Sequence, residues 1–380
     1  MVSLSYIVYV LASLFNPISF LLYGHHHDHP NQYSSSTSIE HNHNKVALFV
    51  FGDSPFEAGN NQYLPNTTVE EDAAIAWPYG ETYFHHSTGR FCDGRVVPDF
   101  IAKFGKLPML PPYLQPGPHD FTDGSNFASG GAGVLETTNP GLSINLPTQF
   151  SYLKNVAKLL ELKLGDLEAK RVLRTAVYLV SIGGVDYISF YSTYPNATES
   201  LRSEFIANVI GNLTVVLKEI YNLGGRKIAF QNVGSLGCQP INRQSYGVTE
   251  GCVEGLSTLG RLHNRALANV LEELELELSG FKYSIFNYYD ALLELYHNPA
   301  KHGFTNGSDA CCGIGPYRGD DCGGVNGTEP YELCPNPGDY AWWDGGHSTE
   351  RANLKLAELI WSGTLNTTGP YNVKQFFQQV

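Results

Sequence analysis

The sequence predicts an α/β protein in which a central parallel sheet carries helices on both faces. Two observations predict it. Four short apolar runs read as strands, and three of them stop at or just before glycine. Between them lie long stretches whose apolar residues recur every 3.6 positions, the period of an amphipathic helix. Strands alternating with helices favour a parallel sheet, because parallel neighbours need a crossover connection.

The elements follow in chain order. Lys45–Phe51 (KVALFVF) is continuously apolar and stops at Gly52, as expected of a strand buried on both faces and ended by a tight turn. Ala176–Ile182 (AVYLVSI) repeats the pattern and ends in Gly183-Gly184. In Glu199–Leu223, the residues Phe205, Ile206, Val209, Ile210, Leu213, Val216, Leu217 and Ile220 fall on one helical face. Arg226–Asn232 (RKIAFQN) is a third strand, before Gly234. Leu256–Leu278 is a second long helix, and Lys282–Asn287 (KYSIFN) a shorter strand. Glu350–Trp361 reads as a terminal helix that Ser348 or Thr349 could cap. No tandem repeat or linker divides the chain, so one domain is expected over 45–380. Ligands of such sheets bind beyond the carboxyl ends of the strands. Gly52-Asp53-Ser54, Gly183-Gly184 and Gly234-Ser235 fall there.

Of the 380 residues, 42% are hydrophobic and 16% charged, a folded composition with enough apolar mass for a large core. The formal charge of −13 repels phosphate backbones, which argues against a nucleic-acid partner. Residues 1–24 read as a signal peptide. The apolar stretches Tyr6–Leu14 and Ile18–Tyr23, broken at Asn16-Pro17, are too short to serve as a transmembrane anchor. Residues 25–44 hold His25, His26, His27, His29, His41 and His43, and read as a flexible polar segment rather than a metal site. Glycosylation sequons at Asn66, Asn196, Asn212, Asn306, Asn326 and Asn366 fit secretion. A vacuolar or other endomembrane destination shares the same leader. Cys238, Cys252, Cys311, Cys312, Cys322 and Cys334 read as a disulfide framework with Cys238–Cys252 as one bridge, and Cys92 is left over. Adjacent Cys311-Cys312, without any C-x-x-C pair, argues against zinc, and no metal site is expected.

Three residues carry candidate chemistry. Ser54 sits just past the first strand, where its hydroxyl can enter the crevice, although a serine there could equally cap a helix. His347, in Trp342-Trp343-Asp344-Gly345-Gly346-His347, is a base of suitable pKa. Asp344 lies close enough in sequence to orient the other ring nitrogen. Asn126–Gly133 is a glycine-rich loop that could offer a backbone N–H to an oxyanion. No Lys follows it as in a P-loop, and the G-x-S-x-G elbow of other lipases is absent.

Taken together, several blocks resemble the plant GDSL esterase/lipase family of the SGNH-hydrolase group. They are Phe51-Gly52-Asp53-Ser54, Gly59-Asn60-Asn61, Trp77-Pro78-Tyr79-Gly80, Gly89-Arg90-Phe91, Asn126–Gly133, Gly234–Pro240 and Trp343–His347. The resemblance implies a flavodoxin-like three-layer α/β/α fold, no cofactor, and hydrolysis of small-molecule or lipid acyl esters. It also implies Ser54 as nucleophile, His347 as base, Asp344 as orienting acid, and the N–H groups of Ser54 and Gly130 as oxyanion donors. Two departures stand out. Pro55 replaces the leucine of GDSL, removing an N–H and restricting Ser54. Val185, in Ile182-Gly183-Gly184-Val185-Asp186, stands where the family usually has an asparagine donor. Losing one such donor typically costs about 100- to 1000-fold in turnover. The expected function is therefore a secreted serine ester hydrolase with a weakened oxyanion hole. One alternative is a catalytically inactive protein that binds a lipid, glycan or protein partner; another is an acyltransferase using the same three residues.

Overall fold

The computed structural model describes residues 45–65, 67–68, 73–324 and 330–378. The expected signal peptide, the His-rich segment and the sequons at Asn66 and Asn326 lie outside the described residues.

Ten strands are formed among the described residues: β1 (Leu48–Gly52), β2 (Gly124–Asn126), β3 (Val177–Ser181), β4 (Lys227–Gln231), β5 (Lys282–Phe286), β6 (Asn306–Ala310), β7 (Cys312–Gly313), β8 (Glu332–Leu333), β9 (Tyr340–Trp342) and β10 (Thr368–Pro370). The α-helices are α1 (Val97–Phe104), α2 (Leu146–Leu164), α3 (Asp166–Thr175), α4 (Gly184–Thr193), α5 (Glu199–Asn222), α6 (Pro240–Ser245), α7 (Glu254–Glu277), α8 (Tyr288–His297), α9 (Glu350–Ser362) and α10 (Val373–Gln378). The main sheet runs β10-β5-β4-β3-β1-β2. β1 to β5 are parallel to their neighbours, with Leu48 opposite Val177 and Phe51 opposite Val180, and β10 is antiparallel to β5.

Strand alternation creates two cores, one on each face of the sheet. Phe49, Phe51, Tyr178, Val180, Ile228 and Phe230 point to the face covered by α2, α3, α5 and α7. Leu48, Val50, Val177, Leu179 and Ala229 point to the face covered by α1, α8, α9 and α10. Burying each phenylalanine contributes about 1.5–3 kcal/mol over leaving it exposed. This two-sided demand explains why the strands read as unbroken apolar runs. The result is the three-layer α/β/α arrangement.

Two elements differ from expectation. α9 begins where expected, with the Thr349 hydroxyl accepting from the N–H of Ala352, but it is not terminal. β10 follows it as an antiparallel edge strand, and α10 closes the second core with Val373 and Phe376. Three residues ending in proline carry little strand signal, and proline fits only an edge. β2 was also invisible, because Gly-Ser-Asn has no apolar run. Gly124 is required there: a Cβ would lie 1.8 Å from the carbonyl oxygen of Leu48.

Beyond the sheet, disulfides Cys238–Cys252, Cys311–Cys334 and Cys312–Cys322 fasten a region of short strands and loops. Each such bridge is worth about 2–4 kcal/mol, here where regular structure is sparse. Cys92 is free and buried. The sequon residues Asn196, Asn212 and Asn366 are exposed. Asn306 is partly buried, and its side-chain oxygen accepts the N–H groups of Ser308 and Asp309.

Candidate active site

A cavity of about 730 Å³ opens at the carboxyl ends of β1, β3 and β4, and Ser54, Gly130, Val185, Asp344 and His347 all line it. A pocket of this size suits a small-molecule ligand.

Ser54 owes its position to the turn after β1. Gly52 approaches β3 so closely that a Cβ would lie 2.3 Å from the carbonyl oxygen of Ser181. The fully buried Gln149 of α2 then fastens the turn. Its amide oxygen accepts from the N–H of Gly52 at 2.9 Å, and its amide nitrogen donates to the carbonyls of Gly52 and Ile144 at 2.8 and 2.7 Å. Phe56 N–H and Glu57 N–H donate to the carbonyls of Asp53 and Ser54, so Ser54 rides a tight turn. The helix-cap reading of Ser54 does not describe what this side chain does. Its hydroxyl faces His347, with Oγ 2.7 Å from Nε2.

The His347 loop is shaped by Asp344. Its Oδ1 accepts from the N–H groups of Gly346 and His347, both at 2.8 Å, and lies 2.7 Å from Nδ1 of His347. Its Oδ2 accepts from the hydroxyl of Tyr79 at 2.8 Å. These contacts assign the Nδ1–H tautomer, which leaves Nε2 free to accept the Ser54 proton. Burial pushes the Asp344 carboxyl upward, but the adjacent His347 and these donors outweigh it, and its pKa ends below the ordinary value. The imidazole stacks at a tilt on Phe91, with centroids 4.8 Å apart, and the buried Trp343 meets Tyr79 edge-on. Phe91 is held in turn by the neighbouring Arg90, whose guanidinium makes two bonds of 2.9 Å to buried Asp99.

The glycine-rich loop is pinned from the Gly59-Asn60-Asn61 block. The Asn60 amide donates to the carbonyls of Asn126 and Ala128, and the Asn61 amide donates to that of Gly130. The Gly130 N–H, expected as an oxyanion donor, has a partner of its own. Its N–H donates to Oε2 of the buried Glu57, whose Oε1 accepts from the N–H of Asn61. A carboxylate thus holds the donor that was expected to face an oxyanion. The N–H of Ser54, in contrast, has no partner among the described residues.

At the end of β3, Gly183 turns the chain with φ of 109° and α4 begins at the cavity wall. Asp186 locks this helix start to the loop that precedes α2, accepting from the N–H groups of Val134 and Leu135 and from the Thr138 hydroxyl. Val185 lines the cavity with methyl groups and no donor. Beside Ser54, Asp53 is buried, and its Oδ1 has no partner among the described residues. Burial, more than the nearby Asp186, pushes its pKa up to about 8, while a hydrogen bond from its own backbone works the other way. Asp53 is therefore neutral at neutral pH.

The structure brings Ser54, His347, Asp344, Gly130 and Val185 to one cavity. Sequence reasoning missed the roles of Tyr79, Glu57 and Gln149. Tyr79 lies inside the Trp77–Gly80 block, which was a signal without a mechanism. Gln149 sits in the first turns of an ordinary amphipathic helix and gave none. Within the described residues, no group of His, Cys, Asp and Glu is arranged to hold a metal ion.

A relay of serine, histidine and aspartate at the carboxyl ends of a parallel three-layer sheet defines a class of α/β proteins able to pass a proton from a serine hydroxyl. Within that class, the chain belongs to the GDSL-like lipase/acylhydrolase family, whose profile matches residues 48–360. It is 48% identical to GDSL esterase/lipase 1 of Arabidopsis thaliana, over 88% of this chain and 91% of that protein. It is 44% identical to a GDSL lipase of Tanacetum cinerariifolium, over 88% of each chain. It also shares 35% identity with inactive GDSL esterase/lipase-like protein 25 of Arabidopsis thaliana, over 86% of this chain and 74% of that protein.

Proposed function

We propose that this chain is a secreted serine ester hydrolase that cleaves carboxylic acyl esters or lipids through an acyl-Ser54 intermediate. The observation that carries the reading is the relay: Ser54 Oγ at 2.7 Å from His347 Nε2, and His347 Nδ1 at 2.7 Å from Asp344. Ser54 Oγ attacks the ester carbonyl while its proton passes to Nε2. Asp344 stabilises the imidazolium that forms. The N–H of Ser54 takes the oxyanion. His347 returns the proton to the departing alkoxide, then removes one from water, which attacks the acyl-serine; that proton passes to Ser54 Oγ as the free acid leaves. Val185 adds no donor and Gly130 is engaged with Glu57, so turnover is slow. Export is supported by three disulfides and by exposed sequons. No helix of the described residues is long and apolar enough to cross a membrane.

The test compares wild type with Ser54→Ala on short- and medium-chain p-nitrophenyl esters. Turnover in wild type alone supports the reading. Identical traces, together with no labelling of Ser54 by a fluorophosphonate, overturn it. The second reading, a non-catalytic lipid- or glycan-binding protein, is favoured by the missing donor at Val185 and gains from that outcome. Labelling without hydrolysis favours the acyltransferase, which an added alcohol acceptor would reveal through a new ester.

A further inference from the structure

We propose that the cavity selects neutral or cationic esters and rejects those whose alcohol portion is anionic, with Asp320 and Asp321 at its rim as the selecting charges. This rests on the ester-hydrolase reading and adds the chemistry of the substrate to it.

Among the described residues, the acidic and basic side chains that line the cavity are Asp53, Asp320, Asp321, Asp344 and His347. Neither Lys nor Arg lines it, and the residues outside the described part of the chain contain neither. Among the described residues, a phosphate or carboxylate entering here meets no cation beyond His347, which is already bonded to Asp344. Asp53, with Oδ1 unpartnered, is neutral at neutral pH, so the outward charge rests on the exposed Asp320 and Asp321.

The position of these two aspartates assigns them to one end of the substrate. Gly319, beside Asp320, backs directly onto Gly345, where a Cβ would lie 1.9 Å from its carbonyl oxygen. Gly345 belongs to the His347 loop. His347 must hand its proton to the leaving oxygen, so the alcohol portion departs past this wall. Apolar side chains reach the cavity from different segments: Leu142, between polar Asn139 and Ser143, and Val185 with Ile188 one turn later on α4. The acyl chain lies there. A site with an apolar acyl wall and an acidic alcohol rim favours acyl esters of uncharged or positively charged alcohols. It disfavours phosphorylated ones.

The test uses three esters with one shared acyl group and alcohols of equal length, ending in hydroxyl, trimethylammonium or carboxylate. We expect kcat/KM for the carboxylate to fall about 5- to 50-fold below that of the hydroxyl ester at low salt, with the trimethylammonium ester equal or better. The gap should shrink at high salt. It should also shrink in Asp320→Asn/Asp321→Asn, read as the ratio of hydroxyl to carboxylate ester within that variant. Equal rates, or a gap that neither salt nor the double variant changes, overturns the proposal. If none of the esters is hydrolysed, the Ser54 mechanism fails separately. Charge selection is then read from calorimetric binding of octyltrimethylammonium against octyl phosphate, where tighter octyl phosphate binding overturns it.

Discussion

The hydroxyl of Tyr79 donates to Oδ2 of Asp344 at 2.8 Å, so the acid that orients His347 is itself held by a residue from a distant part of the chain. Both groups are buried. Tyr79→Phe should therefore remove the hydroxyl donor from an oxygen of a buried carboxylate that keeps only Nδ1 of His347 at 2.8 Å, costing about 1.5–3 kcal/mol of stability. Asp344 loses one restraint but keeps the N–H groups of Gly346 and His347. We expect kcat to fall about 3- to 30-fold with KM little changed, because the ring orientation matters most in the transition state. Steady-state kinetics beside a urea titration checks both. A loss confined to stability would show that Tyr79 is only a strut.

Val185→Asn addresses the oxyanion hole directly. Val185 lines the cavity at the start of α4, and asparagine of similar size would bring an amide donor to that wall. Restoring a donor should raise kcat about 10- to 100-fold, with most of the gain in kcat rather than KM. An unchanged kcat would mean that the N–H of Ser54 already suffices, or that Pro55 leaves Ser54 badly aimed.

How much of this was legible follows from where each signal lives. β1, β3 and β4 were readable because both faces are buried, so that Phe49 and Val50 alike must be apolar. Ser54, Asp344 and His347 were readable because the chemistry demands those side chains near strand ends or glycine turns. The fate of the Gly130 N–H was not readable. It depends on a rotamer of Glu57, which sits far from Gly130 in the chain and meets it only after β1 and β2 have paired. β10 escaped notice because its strand character comes from pairing with β5 rather than from its own residues.

Gln149→Leu tests whether the turn at Gly52 must be held for Ser54 to work. The Gln149 side chain satisfies both the N–H and the carbonyl of buried Gly52. Leucine fills similar space and leaves the N–H of Gly52 and the carbonyl of buried Ile144 without a partner, each costing about 1–3 kcal/mol, while the Gly52 carbonyl keeps the N–H of Ser129. The urea midpoint should drop without a change in slope. The rate of Ser54 labelling by a fluorophosphonate should fall as well. Normal labelling in a destabilised variant would separate the packing role of Gln149 from any effect on the serine.

Asp53 gives a prediction in pH. Burial raises its folded pKa from 3.8 to about 8, so the native state holds a proton that the unfolded chain releases much earlier. A carboxyl raised in this way favours the fold while it is protonated in both states. Its contribution is whole below the ordinary carboxylate value, is lost progressively as pH climbs toward about 8, and stays lost above that. Asn is the neutral isostere of the protonated acid and does not titrate. Asp53→Asn and wild type should therefore melt at similar temperatures in mild acid, and the variant should melt progressively higher as pH rises, with the difference levelling off above about pH 8. Differential scanning calorimetry of the two proteins across this range isolates the group, because every other titration is shared. A constant difference at all pH values would show that Asp53 ionises normally in the fold. The neutral carboxyl beside Ser54, and the assignment of the cavity's charge to its rim, would then both have to be given up.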